Sequence, residues 1–233
     1  MRCPEATTKL VVAHRGAVSA GAHENTLAAF RRAIDIGCDM IEFDVRRTLD
    51  GFLVIHHDEG LGGLTVGEHS FRELRNAAAR LGFELAQLED VLELTRGRIE
   101  LDVELKEAGY ESEVLVMLQE QADPAAVRVT SFHCAVIKAI KLLAPDIPAG
   151  LLVEDLSATQ IAGFYAQSKA DFLAPRYDLL EAAAQIADGL FVWTVDSDEE
   201  ILATLRHPRV EAIITNRPEA ALSVSTRTSR VPE

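Results

Sequence analysis

The chain has 233 residues, 48% of them apolar, and a formal charge of −14. That length and apolar share suffice for one large core, and α/β barrels of about 200 to 250 residues commonly fold as one domain. The acidity argues against a nucleic-acid surface or an anionic membrane surface, since both select positive patches and no Lys/Arg run offsets the average.

No apolar run approaches the roughly 20 residues that span a bilayer. The start, "MRCPEATTKLVVAHRG", puts Glu5 before an apolar run too short for a signal-peptide core, so a cytoplasmic location is expected. Cys3, Cys38 and Cys134 are isolated and odd in number. They read as small buried hydrophobes rather than a disulfide framework. No repeat or Pro/Gly/Ser-rich linker divides the chain, so one domain over 1–233 is expected, with the tail "SVSTRTSRVPE" (223–233) fraying. No feature marks a partner surface.

In chain order the predicted strands are 9–14, 38–45, 52–57, 98–106, 127–132, 147–153, 171–175, 190–195 and 211–216. Helical patterns such as "TLAAFRRAIDIG", "LEDVLELTRG", "YESEVLVMLQEQA" and "DEEILATLRH" separate most of them. Strands alternating with helices of that length imply βαβ units and parallel pairing, hence a (β/α)8 TIM barrel. The count exceeds eight because "RRTLDG" between the second and third runs is too short for a crossover helix. Asp50-Gly51 reads instead as a two-residue hairpin turn. It pairs Leu49 with Phe52 and, counting back, Asp44 with His57. The third run then becomes a hairpin inserted after the second strand at the barrel mouth.

Side chains in a strand alternate between faces. In "MIEFDV", Met40, Glu42 and Asp44 share the face expected to point into the barrel, and Ile41, Phe43 and Val45 the face toward the helices. "RIELDVELK" repeats the design, with Glu100, Asp102, Glu104 and Lys106 inward. Parallel strands are usually apolar on both faces, so this acidic face needs a reason. One is a chain of internal salt bridges. The other is a carboxylate cluster for a hard divalent cation, which takes oxygen ligands. Barrel active sites lie at the carboxyl ends of the strands, which favours Glu42, Asp44, Glu104 and Lys106 over the deeper Glu100 and Asp102.

His14 and Arg15 end the first strand in "HRG". His57 shares parity with Ile55 and is expected to face the acids, with His56 turned away. His23, His69, His133 and His207 fall in loops or at helix ends and read as ordinary surface residues. Trp193, at a late strand end, reads equally as a substrate wall or a packed tryptophan. Two imidazoles, three carboxylates, an Arg and a Lys at a barrel mouth suit phosphoryl chemistry. Cation and guanidinium would neutralise phosphate oxygens, and the imidazoles would exchange protons near neutral pH. No Walker loop, nucleophile elbow or Cys/His zinc spacing competes.

With these residues in view, the sequence resembles the glycerophosphodiester phosphodiesterases from about residue 10 to 222. The resemblance is carried by "AHRGAVSAGAHENTLAAFRRAIDIGCDMIEFDVRRTLDGFLVIHHDEGL", "LDVELK", "VTSF", "VWTVD" and "IITNRPE". It implies a (β/α)8 barrel and metal-dependent hydrolysis of glycerophosphodiesters to an alcohol and glycerol 3-phosphate, with Mg2+ or Ca2+ as cofactor. It also implies His14 and His57 as the acid/base pair, Glu42, Asp44 and Glu104 as metal ligands, and Arg15, Lys106 and Trp193 as substrate contacts. Glu24-Asn25-Thr26 matches a family motif that opens the first helix, in a helix-start or a substrate role. The chain departs from the family in the short "GGLTVGEHSFREL" segment, which implies a reduced cap. It departs again at Asp196 and Asn216, where the family commonly has Asn and Asp; a structural role is expected for both. The rival readings are a lysophospholipase D and a non-catalytic barrel that binds glycerol phosphates.

Overall fold

The computed structural model describes residues 9–228. Cys3 lies outside them, as do residues 229–233. Eight parallel strands carry the fold: β1 Leu10–His14, β2 Met40–Arg47, β6 Glu100–Leu105, β7 Val127–Ser131, β8 Ala149–Val153, β9 Phe172–Pro175, β10 Leu190–Val192 and β11 Val210–Thr215. They run in the order β10-β11-β1-β2-β6-β7-β8-β9. The ring closes where Trp193 N–H donates to Pro175 O at 3.1 Å and Tyr177 N–H donates to Trp193 O at 2.6 Å. This is the expected (β/α)8 barrel.

The surrounding helices are α1 Leu27–Asp35, α3 Leu88–Thr95, α4 Glu111–Gln121, α5 Cys134–Leu143, α6 Ala158–Ser168, α7 Leu180–Ala183, α8 Asp198–Arg206 and α9 Pro218–Thr228. Helix starts are legible in the sequence. Ser157 with Gln160, and Ser197 with Glu200, close reciprocal capping boxes that satisfy otherwise orphaned N–H groups. Helix α9 continues to Thr228, so the stretch from Ser223 to Thr228 is helical rather than frayed. Pro218 opens that helix, and Leu222 and Val224 pack against the core, which holds the segment down.

The period-two reading of β2 and β6 holds. Ile41, Phe43, Val45, Leu101, Val103 and Leu105 belong to the core between barrel and helices. Met40 faces inward with Val12, Phe172, Phe191, Ala212 and Ile214, an apolar plug. Cys38 joins the outer core, and burial pushes its thiol up to about 12, while Cys134 is half-buried at the start of α5. Internal salt bridges also form on the deeper inward level, where Arg128 pairs with Glu100 at 2.7 Å and stacks over Phe191.

The hairpin forms, with β3 Leu53–Ile55 antiparallel to β2, but its register corrects the sequence expectation. Val45 opposes Ile55 and Arg47 opposes Leu53, so Asp44 stands across from His56, whose N–H donates to Asp44 O at 3.0 Å. The turn has three residues, Leu49, Asp50 and Gly51, with Gly51 at φ +88°. Thr48 makes the difference: its Oγ1 accepts from Phe52 N–H at 2.9 Å and donates to Asp50 Oδ1 at 2.7 Å. That is the three-residue hairpin with a left-handed glycine, not the two-residue turn. Beyond β3 the chain makes a small hairpin, β4 Gly60–Leu61 and β5 Leu64–Thr65, and helix α2 Phe71–Arg80. Val54, Leu61, Val66, Leu74 and Leu85 give this insertion its own small core.

Gly150 on β8 is required by packing, because a Cβ there would stand 2.2 Å from the Phe172 ring inside the barrel. Gly150→Ala is expected to destabilise the fold by about 1–3 kcal/mol through overpacking, read as a lowered denaturation midpoint. An unchanged midpoint would show that Phe172 can move aside.

Candidate functional site

The site begins where β1 ends. Arg15 and Gly16 both take left-handed backbone angles, φ 54° and 86°, which turn the chain sharply at the barrel mouth. Gly16 has no alternative, since a Cβ would lie 2.7 Å from Ala29 Cβ. For Arg15 this conformation costs on the order of 1 kcal/mol or more. Several contacts offset it. Arg15 N–H donates to Glu42 Oε2 at 2.9 Å, its Nη1 donates to Glu24 Oε1 at 3.1 Å, and its Nε lies 3.4 Å from Asp44 Oδ2.

Asn25, also left-handed at φ 55°, donates from Nδ2 to Asp44 Oδ2 at 2.8 Å. Thr26 caps α1 by accepting from Ala29 N–H. The Glu24-Asn25-Thr26 step therefore divides its work: Glu24 holds Arg15, Asn25 holds Asp44, and Thr26 starts the helix.

Parallel register brings the acids of β2 and β6 side by side, Glu42 against Asp102 and Asp44 against Glu104. One oxygen each from Glu42, Asp44 and Glu104 lies within 4.8 Å of the other two, and all three residues are buried. Lys106 Nζ reaches Glu104 Oε1 at 2.6 Å and Asp44 Oδ1 at 3.2 Å. Thr130 Oγ1 donates to the deeper Asp102 at 2.8 Å.

The electrostatics follow from this crowding. Burial, and then the Asp44 charge, hold Glu42 well above the ordinary carboxylate range. The same two causes, opposed by Lys106, push Glu104 up to about 7. Burial opposes ionisation of Asp44 as well, but Lys106 and Arg15 outweigh it and hold Asp44 below its ordinary value. Burial, and then Arg15, lower His14.

These acids fit a divalent cation. Three carboxyl groups converge, burial and mutual repulsion hold two of them above the ordinary carboxylate range, and Glu42 Oε1 is buried without a hydrogen-bond partner.

Both predicted histidines reach the same cavity of about 510 Å3, together with Arg15, Glu42, Glu104, Lys106 and Trp193. His14 Nε2 lies 3.9 Å from Glu42 Oε2. His57 faces the site although its register partner was misplaced, because the ladder ends at Ile55 and the chain turns inward after it. Its Nδ1 lies 2.7 Å from Asp58 Oδ1. His56 turns away, as expected, with Nε2 3.2 Å from Gly60 O. Trp193 is half-buried, donates from Nε1 to Ala174 O at 2.8 Å, and stands edge-on to Phe132.

Three features escaped the sequence reading. Arg46 clamps the His57 carbonyl with Nε at 2.9 Å and Nη2 at 2.7 Å; its parity with Glu42 and Asp44 was the available signal. His133 is exposed, as expected, but its ring also lines the cavity and donates to Lys106 O at 3.0 Å. Asp196 and Asn216, expected to be structural, stand behind the imidazole: Asp196 holds Asn216, whose Oδ1 lies 2.8 Å from His14 Nδ1.

The model of the glycerophosphoryl diester phosphodiesterase family matches residues 14–220. The chain belongs to that family. It is a phosphodiesterase whose relatives include the glycerophosphodiester phosphodiesterase of Caldanaerobacter subterraneus subsp. tengcongensis, 31% identical, with 92% of this chain and 97% of the relative covered. Among solved structures, a glycerophosphodiester phosphodiesterase from Parabacteroides distasonis shares the fold at TM-score 0.84 and 23% identity, over 96% of this chain and 99% of that one. A phosphodiesterase from Oleispira antarctica, in complex with the product sn-glycerol-3-phosphate, matches at TM-score 0.78 and 23% identity, over 92% and 96% of the two chains.

The acid cluster makes stability depend on pH. Burial, eased by the Thr130 hydrogen bond, keeps Asp102 protonated up to about 7 in the folded chain, whereas an unfolded Asp ionises near 3.9. Its contribution is therefore complete below about pH 4 and lost as pH rises through about 7. In chelator-treated protein, Asp102→Asn should gain stability relative to the parent between about pH 5 and pH 8, followed by thermal denaturation. A relative loss over that window would reverse the assigned direction.

Proposed function

We propose that this phosphodiesterase hydrolyses glycerophosphodiesters to an alcohol and glycerol 3-phosphate, with one Mg2+ or Ca2+ held by Glu42, Asp44 and Glu104 and with His14 and His57 as the acid/base pair. The observation that carries this reading is one cavity at the carboxyl ends of the strands, where three buried carboxyls, two cationic side chains and two imidazoles converge. The Oleispira antarctica neighbour holds sn-glycerol-3-phosphate, which supports a glycerol phosphate as the product released here.

The cation, when bound, supplies positive charge against the phosphate oxygens. Arg15 and Lys106 bring their own charges to the same wall and bind the phosphate. One histidine takes the proton of the attacking oxygen and the other delivers a proton to the departing alkoxide; the pair serves whether water or the neighbouring glycerol hydroxyl attacks first. Trp193 and Phe132, set edge to face, give the cavity an aromatic corner against which the glycerol or the leaving group packs.

A second reading, hydrolysis of single-chain lysophospholipids, draws on an adjoining cavity of about 560 Å3. It shares Phe132, Leu152 and Glu154 with the first and continues over Leu156 and the exposed Phe164. Turnover of detergent-dispersed lysolipid, compared with that of glycerophosphocholine and glycerophosphoethanolamine, separates the two.

His14→Ala and His57→Ala should each lower turnover by about a hundredfold or more with an unchanged thermal transition. Near-parental activity in both variants would remove the acid/base assignment. Chelation should abolish alcohol release from a panel of glycerophosphodiesters, and added Mg2+ or Ca2+ should restore it; activity that survives complete chelation would contradict the metal role.

A further inference from the structure

A continuous hydrogen-bond chain links Asp196 and Asn216 to His14. Asp196 Oδ2 accepts from Asn216 Nδ2 at 2.7 Å, and Asp196 Oδ1 accepts from the Asn216 backbone N–H at 2.8 Å. Thr215 Oγ1 also donates to Asp196 Oδ1, at 3.2 Å, while accepting from Arg217 N–H. The far side of the Asn216 amide, Oδ1, meets His14 Nδ1 at 2.8 Å.

Donor and acceptor chemistry fixes the protons along this chain. A carboxylate only accepts, so the amide atom that faces Asp196 must be the NH2 group. The atom that faces His14 is then the carbonyl oxygen, which requires a donor. Nδ1 of His14 therefore carries the ring proton, and Nε2, the atom 3.9 Å from Glu42, keeps its lone pair.

We propose that Asp196 and Asn216 are positioning residues that lock His14 in the Nδ1–H tautomer, so that Nε2 enters the reaction as the proton acceptor. The functional half of this inference rests on His14 acting in the proposed hydrolysis; the tautomer itself does not. Neither residue lines the cavity, and both act through the imidazole. The assignment also gives His14 the base role in the first step, a distinction that its place at a strand end could not make.

One isosteric change tests it. In Asp196→Asn, the new amide must keep its oxygen toward the Asn216 N–H and the Thr215 hydroxyl, which turns its NH2 toward the NH2 of Asn216. Two donors cannot face each other, so the Asn216 amide flips and presents its NH2 to His14 Nδ1. The imidazole then has to move its proton to Nε2. Exchanging the pair, in Asp196→Asn with Asn216→Asp, restores an acceptor opposite Nδ1 and a donor opposite the new carboxylate.

The experiment is nitrogen-15 and carbon-13 NMR of histidine-labelled protein, at a pH well above the ordinary imidazole range, with His14 assigned by its absence in His14→Gln. The parent should show the Nδ1–H tautomer, D196N the Nε2–H tautomer, and the double variant Nδ1–H again. In parallel, kcat for a glycerophosphodiester should fall about a hundredfold in D196N, with KM within about twofold, and recover to within about tenfold in the double variant.

An Nε2–H signal in the parent would overturn the lock, as would one that stays on Nδ1 in D196N while the protein remains folded. If the tautomer moves as expected and kcat does not, the positioning role fails. If His14→Gln keeps parental activity, it is the reading of the reaction that fails, and the tautomer result stands apart from it.

Discussion

Burying three carboxyl groups on neighbouring strands inside a barrel is the demand that shapes this molecule. Charges withdrawn from water are costly unless they are paired and hydrogen-bonded, and like charges at this range raise the cost further. Much of the local architecture answers that cost. Asp44, 1% exposed, receives Asn25 on one oxygen and Lys106 near the other, with Arg15 beside it. Two residues accept left-handed backbone to deliver those contacts, and the helix that follows is capped within the same turn. Glu42 has only a backbone N–H on one oxygen and nothing on the other, the residual imbalance that a divalent cation would remove.

The barrel separates this cost from its own stability. Away from the mouth, the interior is filled by Val12, Met40, Phe172, Phe191 and Ala212, with Arg128 bridging Glu100 beside Phe191. The layer between strands and helices is largely apolar. Unfavourable electrostatics are thus gathered among the inward acids of β2 and β6, toward the end where loops approach and substrates arrive. Among the described residues, no helix is long and apolar enough to cross a membrane.

Much of the site was legible because alternation in a strand survives folding. Writing Glu42 and Asp44 on one face, and Glu104 and Lys106 on another, already implied a shared interior once parallel pairing was assumed. The hairpin marks the limit of that reasoning. Asp50-Gly51 announced a turn correctly, but whether it held two residues or three depended on the Thr48 side chain, which bonds both Phe52 N–H and Asp50. Register moved by one residue as a result. His57 still reached the site, because strand pairing stops before it and parity no longer governs where it points. His133 is exposed, as its place before a helix implies, and only the assembled barrel shows that its ring also borders the cavity.

Local patterns in the chain were enough for the strand and helix succession, the faces of the inward acids and the chemical class of the groups at the strand ends. These are properties of short windows, fixed by backbone periodicity and side-chain type. Which of those groups meet was settled by long-range assembly. Closure sets β1 beside β11, so that Asn216 touches His14 from 202 residues away and Asp196 stands behind it. Such contacts depend on the registers of several strands at once, each set by packing and by turns, and no local pattern in the chain encodes that sum.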